Sequence, residues 1–243
     1  MRVTTEALAP DNQSPAPGSE PPVLAGFLTR LETVRGNGAD ILLRLLHDRQ
    51  QYHDPDGDAE RAGIPPASWP LFGLLWPSSQ ALAGVMASCE IKGKRILEVG
   101  CGLALASLTL HRRGGDITAT DCHPLVATFL DENLRLNGLP QMKYQAANWS
   151  EVCPALGCFD LIIGSDVLYD RGQPEVLSQF IDRHSDRTVA VVIVDPDRGN
   201  QPAFKRRMVA LGFSHSATRV LALPDGQAYK GQVHRYDRVG SAS

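Results

Sequence analysis

This 243-residue chain has no long apolar run, no surplus of basic charge and no paired cysteine spacing. Its longest apolar stretches, such as Val189 to Val194, fall far short of the roughly 18 residues that cross a bilayer, so no membrane partner is expected. Lys and Arg total 24 against 27 Asp and Glu, a formal net charge of -3. A protein held on nucleic acid by phosphate attraction would carry a basic excess, so no nucleic-acid partner is expected either. Five cysteines (Cys89, Cys101, Cys122, Cys153 and Cys158) make an odd number without the two-residue spacing of a zinc site. That usage fits a reducing, cytoplasmic setting with no bound metal. Met1 to Pro22 lacks the basic start and apolar centre of a signal peptide and carries Pro10, Pro15, Pro17, Pro21 and Pro22 among small polar residues. Residues 1–22 therefore read as a disordered tail.

What is present is an ordered alternation. Val23 to Leu31 and Ala39 to Gln51 read as helices, the second with Ile41, Leu42, Leu45 and Leu46 on one face, so residues 23–70 form an N-terminal helical extension. Leu71 to Cys89 reads as an amphipathic helix interrupted by Pro77. From there to residue 243 the chain reads as one α/β domain. Its strand candidates are Arg95 to Val99, Asp116 to Thr120, Met142 to Ala147, Phe159 to Gly164 and Thr188 to Val194. Helix candidates lie between and after them at Ala104 to Arg113, Pro124 to Asn137, Gln173 to His184 and Gln201 to Leu211, the order of an open parallel sheet. Phe213 to Leu221 and Gly231 to Arg238 have no helix between them and predict an antiparallel hairpin at one sheet edge.

The segment Ile96-Leu97-Glu98-Val99-Gly100-Cys101-Gly102-Leu103-Ala104 runs from a strand through a glycine turn into a helix. Gly100 and Gly102 permit backbone angles and close approach that a Cβ would forbid, so a ligand can lie on the main chain beside a helix N-terminus. Asp121 closes the next strand nineteen residues after Gly102, where a carboxylate can accept from both ribose hydroxyls. A dinucleotide fingerprint would place a third glycine near Ala104 or Leu105, whereas Glu98 is an acceptor suited to a cationic ligand. S-adenosylmethionine is such a ligand.

These residues resemble the seven-strand S-adenosylmethionine-dependent methyltransferases from about Trp69 onward. Trp76-Pro77, the Glu98 to Ala104 loop, Asn148-Trp149 and Ser165-Asp166-Val167-Leu168-Tyr169 are similar to the non-SET protein lysine methyltransferases, in the branch labelled nicotinamide N-methylase-like. The resemblance implies a Rossmann-like class I sheet of seven strands, mostly parallel with one antiparallel edge strand, and helices on both faces. It maps the D-x-x-Y signature onto Asp166 and Tyr169 as the catalytic pair. It places Glu98, Gly100, Cys101, Gly102 and Asp121 in the cofactor shell, with Trp76, Asn148, Trp149 and Ser165 beside them. Ala104 departs from the pattern, standing where many relatives have a third glycine.

Beside the resemblance, the residues keep their own readings. The end of the fourth strand of an open sheet is where reacting groups gather, and Gly164 to Tyr169 falls there. No D/N-P-P-aromatic sequence for a base amine occurs at that point, and Ser165 stands where a cytosine-carbon enzyme needs a cysteine. Trp76 also has a reading as core, while Asn148 and Trp149 read equally as turn residues. Asp195-Pro196-Asp197-Arg198 after the fifth strand is either a receiver for a cationic substrate or a solvated loop.

The implied chemistry is an in-line displacement by a neutral amine. A lysine of pKa near 10.4 is protonated at pH 7, and holding it neutral costs about 4.6 kcal/mol. A carboxylate such as Asp166 would raise that pKa, so its reading is capture and orientation, with Tyr169 fixing the lone pair and excluding water. A protein lysine or N-terminal amine is the expected substrate. A small-molecule amine methyltransferase and a non-catalytic cofactor-binding module are the alternatives.

Overall fold

The computed structural model describes residues 22–36 and 39–240, so the expected tail, apart from Pro22, lies outside the described residues. The chain begins with a small antiparallel sheet of β1 (Val23–Leu24), β2 (Phe27–Val34) and β3 (Ile41–Leu46). This corrects the two helices expected between residues 23 and 51. Leu24 pairs with Phe27 across Ala25 and Gly26, both at positive φ, which is the two-residue turn that suits a twisted hairpin. On β2 the buried Phe27 and Thr29 alternate with the exposed Leu28 and Arg30. The run Ile-Leu-Leu-Arg-Leu-Leu satisfies both a period of two and a period of 3.6, and six residues are too few to separate them.

A long-range contact decides the matter. Helix α1 (Asp58–Arg61) and a 3-10 stretch over Pro66–Gly73 lead to α2 (Pro77–Met86), β4 (Arg95–Val99), α3 (Leu105–Arg112), β5 (Asp116–Asp121) and α4 (Val126–Leu136). One turn apart on α4, Asn133 and the adjoining C-cap Asn137 act as surrogate strand partners for the free edge of β3. Asn133 Oδ1 accepts the Arg44 N–H at 2.7 Å, and Asn137 exchanges two bonds with Leu42, at 3.0 and 2.7 Å. Arg44 adds an ion pair with Glu132 at 2.8 Å. Pro77 begins α2 instead of interrupting a longer helix, because a missing N–H is harmless at the first helical position.

The remaining elements are β6 (Lys143–Ala146), β7 (Phe159–Ser165), α5 (Gln173–Arg183), β8 (Ser185–Asp195), α6 (Gln201–Ala210), β9 (Ser214–Ala222) and β10 (Ala228–Arg238). Seven strands form one sheet in the order β6-β5-β4-β7-β8-β10-β9. The first five are parallel, while β10 runs antiparallel to both β8 and β9, so the late hairpin closes one side as expected. Alternate strand residues feed two cores. Ile96, Ile117, Leu161 and Val192 pack with α2, α3 and α4, while Leu97, Ile162, Val191 and Ile193 pack with α5 and α6. The chain leaves β4 outward through β5 and β6, then returns to β7 on the other side of β4. That reversal opens a crevice at the carboxyl ends of β4 and β7, the place where such sheets bind ligands. Among the described residues no helix is long and apolar enough to cross a membrane.

Candidate active site

The turn after β4 is built on left-handed backbone. Gly100, Gly102 and Ala104 have φ of 61°, 50° and 58°, and the Cys101 N–H is pinned to the Thr120 carbonyl at 3.0 Å. A Cβ on Gly100 would lie 3.0 Å from Val167 Cγ1 and 3.2 Å from Trp149 Cζ2. One on Gly102 would lie 2.9 Å from the Phe72 carbonyl oxygen. The turn is thus held between the 3-10 stretch on one side and Trp149 with Val167 on the other, and glycine is required for space as well as for φ. Ala104, despite its methyl group, holds the same left-handed conformation and is the N-cap of α3.

Asp121 ends β5 with its Oδ2 accepting the Gly102 N–H and its Oδ1 the His123 N–H, both at 2.9 Å. These bonds use one acceptor position on each oxygen of a carboxylate that has about four, leaving two for the hydroxyls of a ribose. Burial raises its pKa, against the N–H groups of His123, Gly102 and Cys122, which lower it. The remaining acceptor positions therefore fit the hydroxyls of a nucleoside. Cys101 points into the apolar core, 7% exposed, and burial with the Asp121 and Glu98 charges holds its thiol well above the usual range. Only its main chain reaches the turn.

Glu98 lies beneath the turn. It is 2% exposed, and its Oε2 accepts from the Ser107 N–H at 2.9 Å and from the Ser107 hydroxyl. Burial pushes its pKa up to about 7, with Ser107 opposing the shift. Trp76 caps α2 and ties its indole N–H to the Leu71 carbonyl at 3.0 Å, so it braces the 3-10 stretch that crosses Gly102. Asn148 Oδ1 is taken by the Ser150 N–H at 3.1 Å and hydroxyl at 2.8 Å.

At the end of β7, Gly164 packs against Val99, and Ser165 leads into Asp166, which has φ of 57° and donates its N–H to the Val194 carbonyl at 2.9 Å. The side chain of Asp166 pairs with Arg198, whose Nε donates to Oδ1 at 2.6 Å. Val167 and Leu168 are buried and hold the segment down, while Tyr169 stands 52% exposed at the rim. Its hydroxyl pKa is raised by burial and then by the charges of Cys122 and Asp121.

Some contacts that build the site could not be read from the sequence. His123 stacks on Phe72 with centroids 3.9 Å apart, and its Nδ1 accepts the Leu125 N–H at 3.2 Å. Burial lowers its pKa to about 4, so it clamps the Asp121 turn to the 3-10 stretch as a neutral ring. Ser107 is nine residues beyond Glu98, and Arg198 is 32 residues beyond Asp166.

A seven-strand sheet with a glycine turn after its first parallel strand and a ribose-type acid after its second defines a class I, Rossmann-like methyltransferase. Solved structures agree on the fold. Magnesium protoporphyrin IX methyltransferase from Synechocystis with bound SAM superposes with a TM-score of 0.54 at 16% identity, over 67% of this chain and 80% of that one. The ribosomal protein L11 methylase of Lactobacillus delbrueckii gives 0.52 at 20% identity, over 66% and 78%. The family profile described as lysine methyltransferase matches residues 73–206. The electron transfer flavoprotein beta subunit lysine methyltransferase of Mus musculus is 28% identical over 187 residues, covering 73% of this chain and 69% of that protein. The Rattus norvegicus protein of the same description is 31% identical over 145 residues, covering 58% and 54%. The protein N-lysine methyltransferase METTL21A of Danio rerio is 30% identical over 129 residues, covering 49% and 58%. The chain belongs to the lysine methyltransferase family, a protein lysine methyltransferase with S-adenosylmethionine as its cofactor.

Proposed function

We propose that this enzyme methylates the ε-amine of a lysine on the surface of a folded protein, and that an electron transfer flavoprotein beta subunit is the first substrate to try. The half-exposed Tyr169, three residues beyond the ion-paired Asp166 on the segment that leaves β7, carries this reading. The mouse, rat and human relatives named for that substrate support the choice of protein. The N-terminal sheet packs on α4 through Asn133, Asn137 and Glu132, on a different element from the β7 end where Asp166 and Tyr169 stand. A reducing compartment such as the cytoplasm suits the five cysteines, all of them free.

Asp121 is assigned to the ribose hydroxyls, the Gly100 to Gly102 main chain to close contact with the ligand, and Trp149 and Asn148 to the adenine end. Trp76, Ser165 and the main chain of Cys101 complete the wall, with Glu98 supporting the turn from below. Bound there, S-adenosylmethionine supplies an electrophilic methyl group on a sulfonium. Asp166 orients the incoming nitrogen, Tyr169 offers a hydrogen bond and a ring that excludes water, and together they hold the amine in line at about 3 Å.

The test is incubation with methyl-labelled S-adenosylmethionine, purified electron transfer flavoprotein beta subunit and a mixture of small amines, followed by peptide mass spectrometry. Label on a lysine side chain of the protein supports the reading. Label in the small-molecule fraction alone would overturn it in favour of a small-molecule amine methyltransferase.

A further inference from the structure

A bare carboxylate is a poor neighbour for an amine that must lose a proton before it can be methylated, because an opposite charge at about 4–6 Å favours the ammonium form by one to three pKa units. Asp166 is not bare. Its side chain is 10% exposed, and Arg198 Nε sits on Oδ1 at 2.6 Å. The left-handed backbone of Asp166 and its N–H bond to Val194 fix where that carboxylate stands.

Arg198 is itself set in place. Asp195, fully buried at the end of β8, accepts the Arg198 main-chain N–H on Oδ1 at 2.6 Å, and its Oδ2 has no hydrogen-bond partner. The Asn200 amide on the same loop donates to the Leu168 carbonyl at 2.9 Å, tying the loop to the segment between Asp166 and Tyr169. Asp166, Asp195 and the Tyr229 hydroxyl face the guanidinium, and Asp197, which accepts from Gln232, lies beyond them. Tyr229 shares a hydrogen bond with Ser78 at 2.9 Å. Among these groups the acids outnumber the guanidinium, so removing Arg198 leaves the negative charges of Asp166, Asp195 and Asp197 without it.

We propose that Arg198 is a positioning residue that cancels the charge of Asp166, so that the second oxygen of Asp166 orients the substrate amine without holding it as an ammonium. This rests on the reading of Asp166 as the group that meets the amine. The lysine arrives protonated and gives its proton to solvent. The nitrogen lone pair then forms the bond to the methyl carbon as the carbon–sulfur bond breaks and its electron pair leaves on sulfur. The loop Asp195-Pro196-Asp197-Arg198, ambiguous in the sequence, thereby sets the proton affinity of the substrate.

The experiment uses the full chain with S-adenosylhomocysteine and an electron transfer flavoprotein beta subunit carrying 13C at its lysine ε-carbons, whose chemical shift reports the pKa of the bound amine without turnover. Arg198→Gln should raise that pKa by about one unit, Arg198→Lys should return it towards wild type, and Asp166→Asn should lower it. In turnover, the acid limb of kcat in Arg198→Gln should move up by about one pH unit, with activity recovered at higher pH and KM not increased. A loss of kcat that is equal at every pH, or an amine pKa unchanged in Arg198→Gln while Asp166→Asn shifts it, overturns the proposal and leaves the role of Asp166 intact. An amine pKa unmoved by Asp166→Asn removes the reading on which the proposal rests.

Discussion

Replacing Glu98 with Gln should stabilise the protein at alkaline pH and do little at acid pH. The carboxyl is 2% exposed, and burial lifts its pKa to about 7 from an ordinary 4.5, even with Ser107 donating two hydrogen bonds to it. Below about pH 4.5 the group is protonated in both folded and unfolded chains and costs nothing. Between about pH 4.5 and 7 the unfolded chain has released the proton that the folded chain retains, so stability falls as pH rises. Above about pH 7 the full penalty applies, some 2.5 pKa units or about 3 kcal/mol. Glutamine keeps the shape and an acceptor for Ser107 but never ionises. The difference in Tm between Glu98→Gln and wild type should therefore open by roughly 6–12 °C from pH 4.5 to pH 8, at about 2–4 °C per kcal/mol for a chain of this size. Comparing the two proteins at each pH cancels the titration of groups that do not interact with Glu98, which leaves Asp121 and Cys101 as the coupled neighbours. A constant difference, or one that favours wild type at pH 8, would mean that Ser107 and the turn stabilise the ionised form and that the burial argument fails.

Asp121→Ala removes the acceptor for the ribose and the anchor of the Gly102 N–H, so calorimetry should find S-adenosylhomocysteine affinity reduced by at least about a hundredfold. Ala104→Gly relieves a left-handed alanine at φ 58° and should raise stability by roughly 0.5–1 kcal/mol in a denaturant melt without weakening cofactor binding.

The parallel sheet was legible because its signals are local. Apolar runs such as Leu161 to Ile163 and Val189 to Val194 fit buried strands, and the turn from Val99 to Ala104 followed by Asp121 is a fixed order along a short stretch of chain. The N-terminal strands were not legible, because their identity depends on Asn133 and Asn137, which meet β3 across 89 and 95 residues. In the candidate site, residues could be singled out from the sequence but their partners could not. Asp166 reads the same in sequence whether its charge is free or cancelled, and Glu98 looks like a ligand acceptor until Ser107 is brought onto it by the start of α3. Pro77 reads as an interruption only when the helix is assumed to begin before it.

The account separates the cofactor groups at the ends of β4 and β5 from the substrate group at the end of β7, and Asp166→Asn tests that division most directly. The measurement is S-adenosylhomocysteine affinity by calorimetry alongside methyl transfer to the protein lysine, on the same preparation. Turnover should fall by roughly a hundredfold, an oriented-charge loss of about 3 kcal/mol, while affinity stays within about threefold of wild type. Full turnover in the variant would contradict the account, and so would a loss of affinity as large as the loss of turnover.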